Sequence, residues 1–126
     1  MNVLVDTSVW VAHFRQHNAQ LAGMIERDWV LVHPIVLGEI FCGTPPAPRT
    51  QTLSDLRLLR QAQVASLDEV IEFVERESLY GLGCGLADLS LLASSLLSPD
   101  TTLWTRDRRL AEIATRFDVM CTPALH

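Results

Sequence analysis

The sequence predicts an α/β protein with three layers, in which helices cover both faces of a central parallel sheet of four to five strands. Two observations lead to this fold class. Short apolar runs alternate with longer segments of helical periodicity, and right-handed crossovers between such strands lay each helix over the sheet. The chain has 126 residues, of which 48% are apolar and 20% charged, so we expect a single domain over residues 1–126.

The first half of the chain predicts two strands and three helices. Val3-Leu4-Val5 is an apolar run that stops at Asp6, and the hydroxyl residues that follow can cap a helix. Pro34 predicts a helix start, because proline is favoured at the first helical position. The proline-rich segment 43–48 then forms a loop. The expected elements are a strand at 3–5, a helix from Thr7 or Ser8 to about Arg15, a helix at 18–27, a strand at 29–32 and a helix from Pro34 to about Cys42.

The second half predicts four helices and three strands. Leucines recur at helical intervals after Arg49, Asp68 and Glu69 suit the first turn of a helix, and closely spaced glycines precede a strongly apolar helix. The expected elements are a helix at 49–62, a short strand within 63–66, a helix from Ser66 or Leu67 to near Gly81, a helix at 86–97, a strand at 101–105, a helix at 107–116 and a last short strand at 118–121.

The composition excludes several classes of protein. No run of about 18 apolar residues occurs and the first residues lack the basic segment of a signal peptide, so we expect a cytoplasmic protein. The three cysteines contain no Cys-x-x-Cys pair, which disfavours a structural zinc site or a disulfide framework. All 10 basic residues are arginines, and the absence of lysine excludes P-loop and Schiff-base chemistry.

The net charge of −5 disfavours a general nucleic-acid coat protein. Four of the 15 acids gathered around divalent cations would leave 11 acids against 10 arginines. The charge is therefore compatible with a metal-dependent enzyme that acts on RNA.

Four acidic residues stand where the predicted fold brings distant segments together. Asp6 and Asp107 follow strands, and Glu39 and Asp88 interrupt apolar helical stretches. Ligands of open parallel sheets bind beyond the carboxyl ends of the strands. Each acid taken alone also has a structural interpretation: Asp6 and Asp107 can cap helices, Asp88 can complement a helix dipole, and Glu39 can face water.

Taken together, the four carboxylates predict a metal site. Two carboxylates about 5 Å apart repel each other by about 3 kcal/mol at an effective dielectric constant of roughly 20. A cluster of four therefore needs protons or cations. Oxygen ligands suit Mg²⁺ or Mn²⁺ better than zinc or copper, so we expect one of these ions to be bound by Asp6, Glu39, Asp88 and Asp107.

The segments that carry the acids are Val5-Asp6-Thr7-Ser8-Val9-Trp10, Val36-Leu37-Gly38-Glu39-Ile40, Ala87-Asp88-Leu89-Ser90-Leu91-Leu92-Ala93 and Leu103-Trp104-Thr105-Arg106-Asp107. In this order they resemble the successive motifs of PIN domains, most closely those of the VapC toxins of type II toxin–antitoxin pairs. The resemblance covers nearly the whole chain, including the glycine-rich lead into the Asp88 helix.

This resemblance implies a metal-dependent endoribonuclease. Asp6, Glu39, Asp88 and Asp107 match the acidic quartet of the family, in which Asp6 and Asp88 correspond to the best-supported metal ligands. Thr105 matches the hydroxyl residue that accompanies the fourth acid, and it completes the predicted catalytic set.

The chain departs from the family in one of these motifs. An aromatic and then a small residue commonly flank Asp88 in close relatives, whereas here Leu86-Ala87 precede it and Leu89 follows. The four acids are unaffected, and the departure concerns substrate contacts around this helix. Ser8 matches a hydroxyl often found after the first acid.

The predicted chemistry is hydrolysis by water. A cation held by carboxylates lowers the pKa of bound water and orients it for in-line attack on phosphorus, which leaves 3′-hydroxyl and 5′-phosphate ends. The resemblance further implies an RNA substrate, either tRNA or another structured RNA, a small cognate antitoxin that occludes the acidic pocket, and a homodimer.

Further RNA contacts have two interpretations. Arg106, Arg108 and Arg109 lie beside Asp107 in the sequence, where they can hold phosphates or form a solvated cluster at a helix start. The aromatic side chains that can stack on unpaired bases or pack in the core are Trp10, Phe41, Tyr80 and Trp104.

Two other functions are weighed against the nuclease. A phosphotransferase would use Asp6 as a nucleophile, but that chemistry usually needs a lysine and a second acid two positions on, where Ser8 stands. A PIN-like module without catalysis would bind only RNA or a protein, and the retention of all four acids argues against it.

Overall fold

The computed structural model of the chain describes residues 1–122, which form four strands and seven helices. The strands are β1 (Asn2–Val5), β2 (Val30–Val32), β3 (Arg60–Gln61) and β4 (Thr101–Trp104). The helices are α1 (Thr7–Arg15), α2 (Ala19–Glu26), α3 (Pro34–Cys42), α4 (Arg49–Arg57), α5 (Leu67–Arg76), α6 (Leu86–Leu97) and α7 (Arg108–Arg116).

The strands form one parallel sheet in the order β3-β2-β1-β4. Leu4 of β1 pairs with Leu31 of β2 on one side and with Leu103 of β4 on the other. Val3, Leu4 and Val5 are all fully buried. Successive side chains of a strand point to opposite faces, so both faces of the sheet are covered. The predicted α/β architecture with a parallel sheet is confirmed.

The order of the strands creates a topological switch point. The chain builds β2 and β3 on one side of β1, and then crosses to place β4 on the other side. The connections leaving β1 and β4 therefore diverge from the same place at the carboxyl end of the sheet. Ligands of open α/β sheets bind in such crevices.

The predicted helix at 49–62 is too long, and the strand predicted within 63–66 lies too far along the chain. α4 ends at Arg57 and β3 occupies Arg60–Gln61. Parallel pairing beside β2 decides this boundary: Arg60 pairs with Leu31, and the Ala62 N–H donates to the Val32 carbonyl at 3.0 Å. The leucine periodicity that favoured a longer helix continues into this turn.

The helix predicted to run from Ser66 or Leu67 to near Gly81 is also too long. Ser66 and Glu69 form a capping box at its start, but α5 ends at Arg76. Ser78 adopts a φ of +56°, and the Leu79 N–H donates to the Val74 carbonyl at 2.9 Å. A left-handed residue of this kind closes a helix.

The last predicted strand, at 118–121, is reduced to one bridge between Met120 and Leu103. Elsewhere the bounds agree closely, and α3 and α6 match their predictions residue for residue. Within the described part of the chain, no helix is long and apolar enough to cross a bilayer. Residues 123–126 of the predicted domain lie outside the described residues.

Candidate active site

The register of β1 and β4 places Asp6 beside Thr105. Val5 pairs with Trp104, and the Asp6 N–H donates to the Trp104 carbonyl at 2.9 Å. Both side chains therefore leave the carboxyl end of the sheet at the switch point. Asp6 and Thr105, which are 99 residues apart in the sequence, are in direct contact here.

Asp6 is a buried carboxylate held by two hydroxyl groups. Its side chain is 6% exposed, and its Oδ2 accepts hydrogen bonds from Ser8 Oγ and Thr105 Oγ1, each at 2.7 Å. A buried carboxylate needs such partners, because burial removes its hydration. These bonds fix the position of the group.

The prediction that Thr7 or Ser8 is the N-cap residue of α1 is wrong. Asp6, not Thr7 or Ser8, occupies the N-cap position of α1, and its side chain makes no capping hydrogen bond. The carboxylate is engaged by the two hydroxyls instead, so the capping interpretation of Asp6 does not account for its side chain.

Thr105 and Ser8 also hold the chain that leads to Asp107. Thr105 Oγ1 accepts a hydrogen bond from the Asp107 N–H at 3.0 Å, and Ser8 Oγ accepts one from the Arg106 N–H at 3.0 Å. Each hydroxyl thus donates to Asp6 and accepts from the 106–107 backbone. The two hydroxyls tie the segment after β4 to the segment after β1.

Asp107 has a capping role. It is exposed, stands at the N-cap of α7, and accepts a hydrogen bond from the Leu110 N–H on Oδ1 at 3.0 Å. Within residues 1–122, its Oδ2 accepts no hydrogen bond. The structural interpretation and a ligand role are therefore compatible, since they use different oxygens.

Glu39 is exposed on α3 and is also hydrogen-bonded to α1. Its Oε1 accepts a hydrogen bond from Thr7 Oγ1 at 2.6 Å. This contact joins α3 to the first turn of α1, directly after Asp6. The sequence carried no signal for it, because it depends on how the two helices pack.

Asp88 lies half-buried in the first turn of α6. Burial raises its pKa, and the negative charges of Asp6, Asp107 and Glu39 raise it further, while a backbone hydrogen bond at Gly85 acts in the opposite direction. The fold thus brings the other three predicted acids within electrostatic reach of Asp88.

The four side chains do not form a closed cage. Among residues 1–122, no three histidine, cysteine or acidic side chains are close enough together to hold an ion. Charges act over several ångströms, whereas coordination requires oxygens about 2.0–2.6 Å from the ion.

The donor set nevertheless fits a hard divalent cation. In the part of the chain that the structure describes, Asp6, Glu39 and Asp107 each use one carboxylate oxygen for a hydrogen bond and leave the other without one. Free carboxylate oxygens of this type are the ligands that Mg²⁺ and Mn²⁺ prefer.

The four aromatic residues weighed for base stacking or core packing differ in exposure. Trp10 and Trp104 are 2% and 8% exposed and belong to the core, whereas Tyr80 is 61% exposed in the loop before α6. Phe41 is half-buried beneath the Arg57 guanidinium. Tyr80 alone of these four is free to meet a base.

Comparisons with known proteins agree with the motif resemblance. Residues 3–116 match the family model of the PIN domain. The chain is 41% identical to Ribonuclease VapC32 of Mycobacterium tuberculosis, from both strain CDC 1551 / Oshkosh and strain H37Rv, over 108 residues and 86% of each chain. A solved structure of VapBC-1 from nontypeable Haemophilus influenzae has the same fold, with a TM-score of 0.66 and 14% identity over 95% of this chain and 96% of that one. The chain therefore belongs to the PIN domain family and, within it, to the VapC-type proteins.

Proposed function

We propose that this protein is the toxin of a type II toxin–antitoxin pair and an endoribonuclease that requires Mg²⁺ or Mn²⁺. One observation carries the proposal: carboxylates from three distant segments, Asp6, Glu39 and Asp107, act on the Asp88 carboxylate near the switch point of the sheet. The relative at 41% identity is named as a ribonuclease, which gives this geometry a substrate class.

Asp6 and Asp88 are the proposed principal ligands. Asp6 is fixed by two hydroxyls, with its Oδ1 left for an ion, and a neighbouring positive charge would stabilise the ionised form of Asp88, whose pKa is raised by burial and then by the charges of three carboxylates. Glu39 and Asp107 complete the proposed ligand set. Thr105 acts by positioning Asp6 and the backbone of Asp107.

A hard divalent cation supplies the positive charge that lowers the pKa of a water molecule and neutralises a phosphodiester in the transition state. The side chains supply orientation. The Thr105 and Ser8 hydroxyls fix the orientation of the Asp6 carboxylate. The hydrogen bond from the Leu110 N–H, at the start of α7, fixes the Asp107 carboxylate. Hydrolysis by water leaves 3′-hydroxyl and 5′-phosphate ends, and the proposed substrate is tRNA or another structured RNA.

The proposed partners follow from membership of the VapC group. A small cognate antitoxin would cover the acidic edge and block access to RNA, and the toxin would form a homodimer in the cytoplasm. Co-expression with the product of an adjacent reading frame should suppress cleavage. Light scattering that finds only monomer at micromolar concentration would contradict the homodimer.

The decisive experiment is cleavage of total cellular RNA by purified protein. We expect cutting with Mg²⁺ or Mn²⁺, none with chelator, and 5′-phosphate ends at the mapped sites. Asp88→Asn should lower the rate by at least about 10³-fold, an effect of the size seen when charge stabilisation at a reacting centre is removed. Asp100→Asn is the matched control, because it removes a carboxylate at the opposite end of the sheet.

Three outcomes would contradict the proposal. Cleavage by Asp88→Asn at the wild-type rate would exclude the metal mechanism. Binding of RNA without cleavage at any divalent ion concentration would favour a module without catalysis, and a phosphorylated Asp6 would favour the phosphotransferase.

A further inference from the structure

Arg109 lies directly against the backbone of the glycine-rich loop. It belongs to the first turn of α7, and a Cβ atom built on Gly83 would stand 2.7 Å from Arg109 Cδ and 2.9 Å from Nη1. Real side chains do not tolerate such distances. Gly83 also has a φ of +88°, so glycine at this position permits both the turn and the close approach of the arginine.

The contact places the guanidinium next to the acidic site. The Cys84 thiol has its pKa raised to about 11 by burial and then by the negative charges of Asp88 and Asp107, whereas the positive charge of Arg109 acts in the opposite direction. Arg109 and two of the proposed ligands thus act electrostatically on the same thiol. The loop before α6 and the start of α7 meet at this point.

The guanidinium itself is unused by the protein. Within residues 1–122, Arg109 makes no ion pair and donates no hydrogen bond, although two carboxylates lie nearby. Other arginines are committed: Arg60 pairs with Asp28, and Arg49 donates to the Gly43 carbonyl. Arg109 differs from these because its stem lies against Gly83 while its donors stay free.

We infer that Arg109 is a phosphate-binding residue, which holds a phosphodiester of RNA beside the carboxylates while the Gly83 backbone fixes its side chain. The inference rests on the proposed function. An acidic site repels RNA, and a guanidinium offers a planar pair of donors that fits two phosphate oxygens. A side chain that is already held loses less conformational entropy when it binds.

The inference is specific to Arg109 among the three arginines of this segment. All three arginines are exposed, but the side-chain atoms nearest to Gly83 belong to Arg109, and Arg109 is the arginine whose positive charge acts on the Cys84 thiol together with Asp88 and Asp107. Arg108→Gln is therefore the matched control. It removes the same charge from the adjacent position of α7.

The test measures RNA binding and cleavage for Arg109→Gln, Arg109→Lys and Arg108→Gln. Arg109→Gln should raise KM about 10-fold and change kcat by less than about threefold, and Arg109→Lys should recover part of the loss. Binding of end-labelled total tRNA is measured in the inactive Asp88→Asn background at several salt concentrations. The slope of log Kd against log salt should fall by about 0.7–0.9 with Arg109→Gln, the contribution of one phosphate contact.

The two glycines of the loop provide a second test. Gly81 and Gly83 both have positive φ, +72° and +88°, but a Cβ at Gly81 meets nothing within 4 Å. Both alanine variants carry backbone strain, and only Gly83→Ala displaces Arg109. Gly83→Ala should raise KM as Arg109→Gln does, Gly81→Ala should raise it much less, and the effects of Gly83→Ala and Arg109→Gln should not add.

The outcomes separate this inference from the proposed function. Wild-type cleavage together with an unchanged KM and an unchanged salt slope for Arg109→Gln would overturn the phosphate role and leave the nuclease intact. An equal effect of Arg108→Gln would also overturn it. Wild-type protein that neither binds nor cuts RNA would overturn both.

Discussion

The two ends of the parallel sheet differ sharply in chemistry. The carboxyl end bears Asp6, directly after β1, and Asp107, three residues after the end of β4. At the amino end, the terminal ammonium pairs with Asp100 at 2.8 Å between exposed groups, and Met24 and Trp29 line a mainly apolar cavity of about 640 Å³. Helices α1, α3 and α7 begin at the carboxyl end, where their N–H groups favour negative charge. The polarity of the fold therefore decides which end can gather acids.

Divalent ions should stabilise the protein through the carboxyl end alone. A ligand present at 100 times its Kd adds about 2.7 kcal/mol to the free energy of unfolding. Mn²⁺ should therefore raise the Tm of the wild type and of Asp100→Asn equally, and the shift should vanish in Asp88→Asn. A full shift in Asp88→Asn, measured by thermal unfolding, would place the ion elsewhere.

Two threonines at opposite ends of β4 sharpen the comparison. Thr105 donates to Asp6, whereas Thr101 donates to the Pro99 carbonyl at 2.9 Å, and both are buried. Thr105→Val should lower activity about 10–100-fold, the usual cost of losing a group that orients a ligand. Thr101→Val should cost about 1 kcal/mol of stability and leave activity unchanged. Equal activities of the two variants would remove Thr105 from the site.

The charge of Asp88 should cost stability when no cation is present. Its pKa is raised in the folded state, so the stabilising protonated form is lost as pH rises through that value, and the ionised form opposes folding at neutral pH. Asp88→Asn should raise the Tm in chelator at pH 7 slightly, because it removes a charge that burial and then the neighbouring carboxylates disfavour, while solvent screens part of the repulsion. Asp100→Asn should give no rise. A lower Tm for Asp88→Asn would contradict the crowding of the four acids.

Substitution of His33 is expected to have the smallest effect, a change in how Tm depends on pH. It is buried at the N-cap of α3, its Nδ1 accepts from the Ile35 N–H at 3.0 Å, and burial lowers its pKa. The unfolded chain takes up a proton below about pH 6.5 while the folded chain stays neutral there, so stability falls as pH drops below that value. His33→Asn keeps a capping oxygen and should show a shallower decrease of Tm between pH 7 and pH 5. An unchanged slope would exclude His33 as the cause.

The sequence predicted best what local signals determine. Pro34 and Gly85 mark the starts of α3 and α6, and the apolar pattern carries each helix to its end, so both ranges were correct. The end of α4 was wrong, because strand pairing beside Leu31 overrides a leucine periodicity that continues into the turn. At this boundary the local helical periodicity competes with strand pairing in the folded sheet, and only the periodicity can be recognised in the sequence.

The candidate site divides in the same way. The positions of Asp6, Asp88 and Asp107 follow from a strand end and helix starts, which sequence patterns locate, whereas Glu39 lies within α3. The Thr7–Glu39 hydrogen bond and the approach of Arg109 to Gly83 depend on how separate helices and loops pack. The glycine-rich segment before α6 lies against the side chain of an arginine from α7, which no spacing rule indicates.

The most direct test is a crystal structure of the protein grown with Mn²⁺, with the ion located by anomalous scattering. We expect a peak between Asp6 and Asp88, within coordination distance of one oxygen from each. Mn²⁺ bound only at the amino end of the sheet, or no peak at a concentration that supports RNA cleavage, would contradict the assignment of these carboxylates as metal ligands.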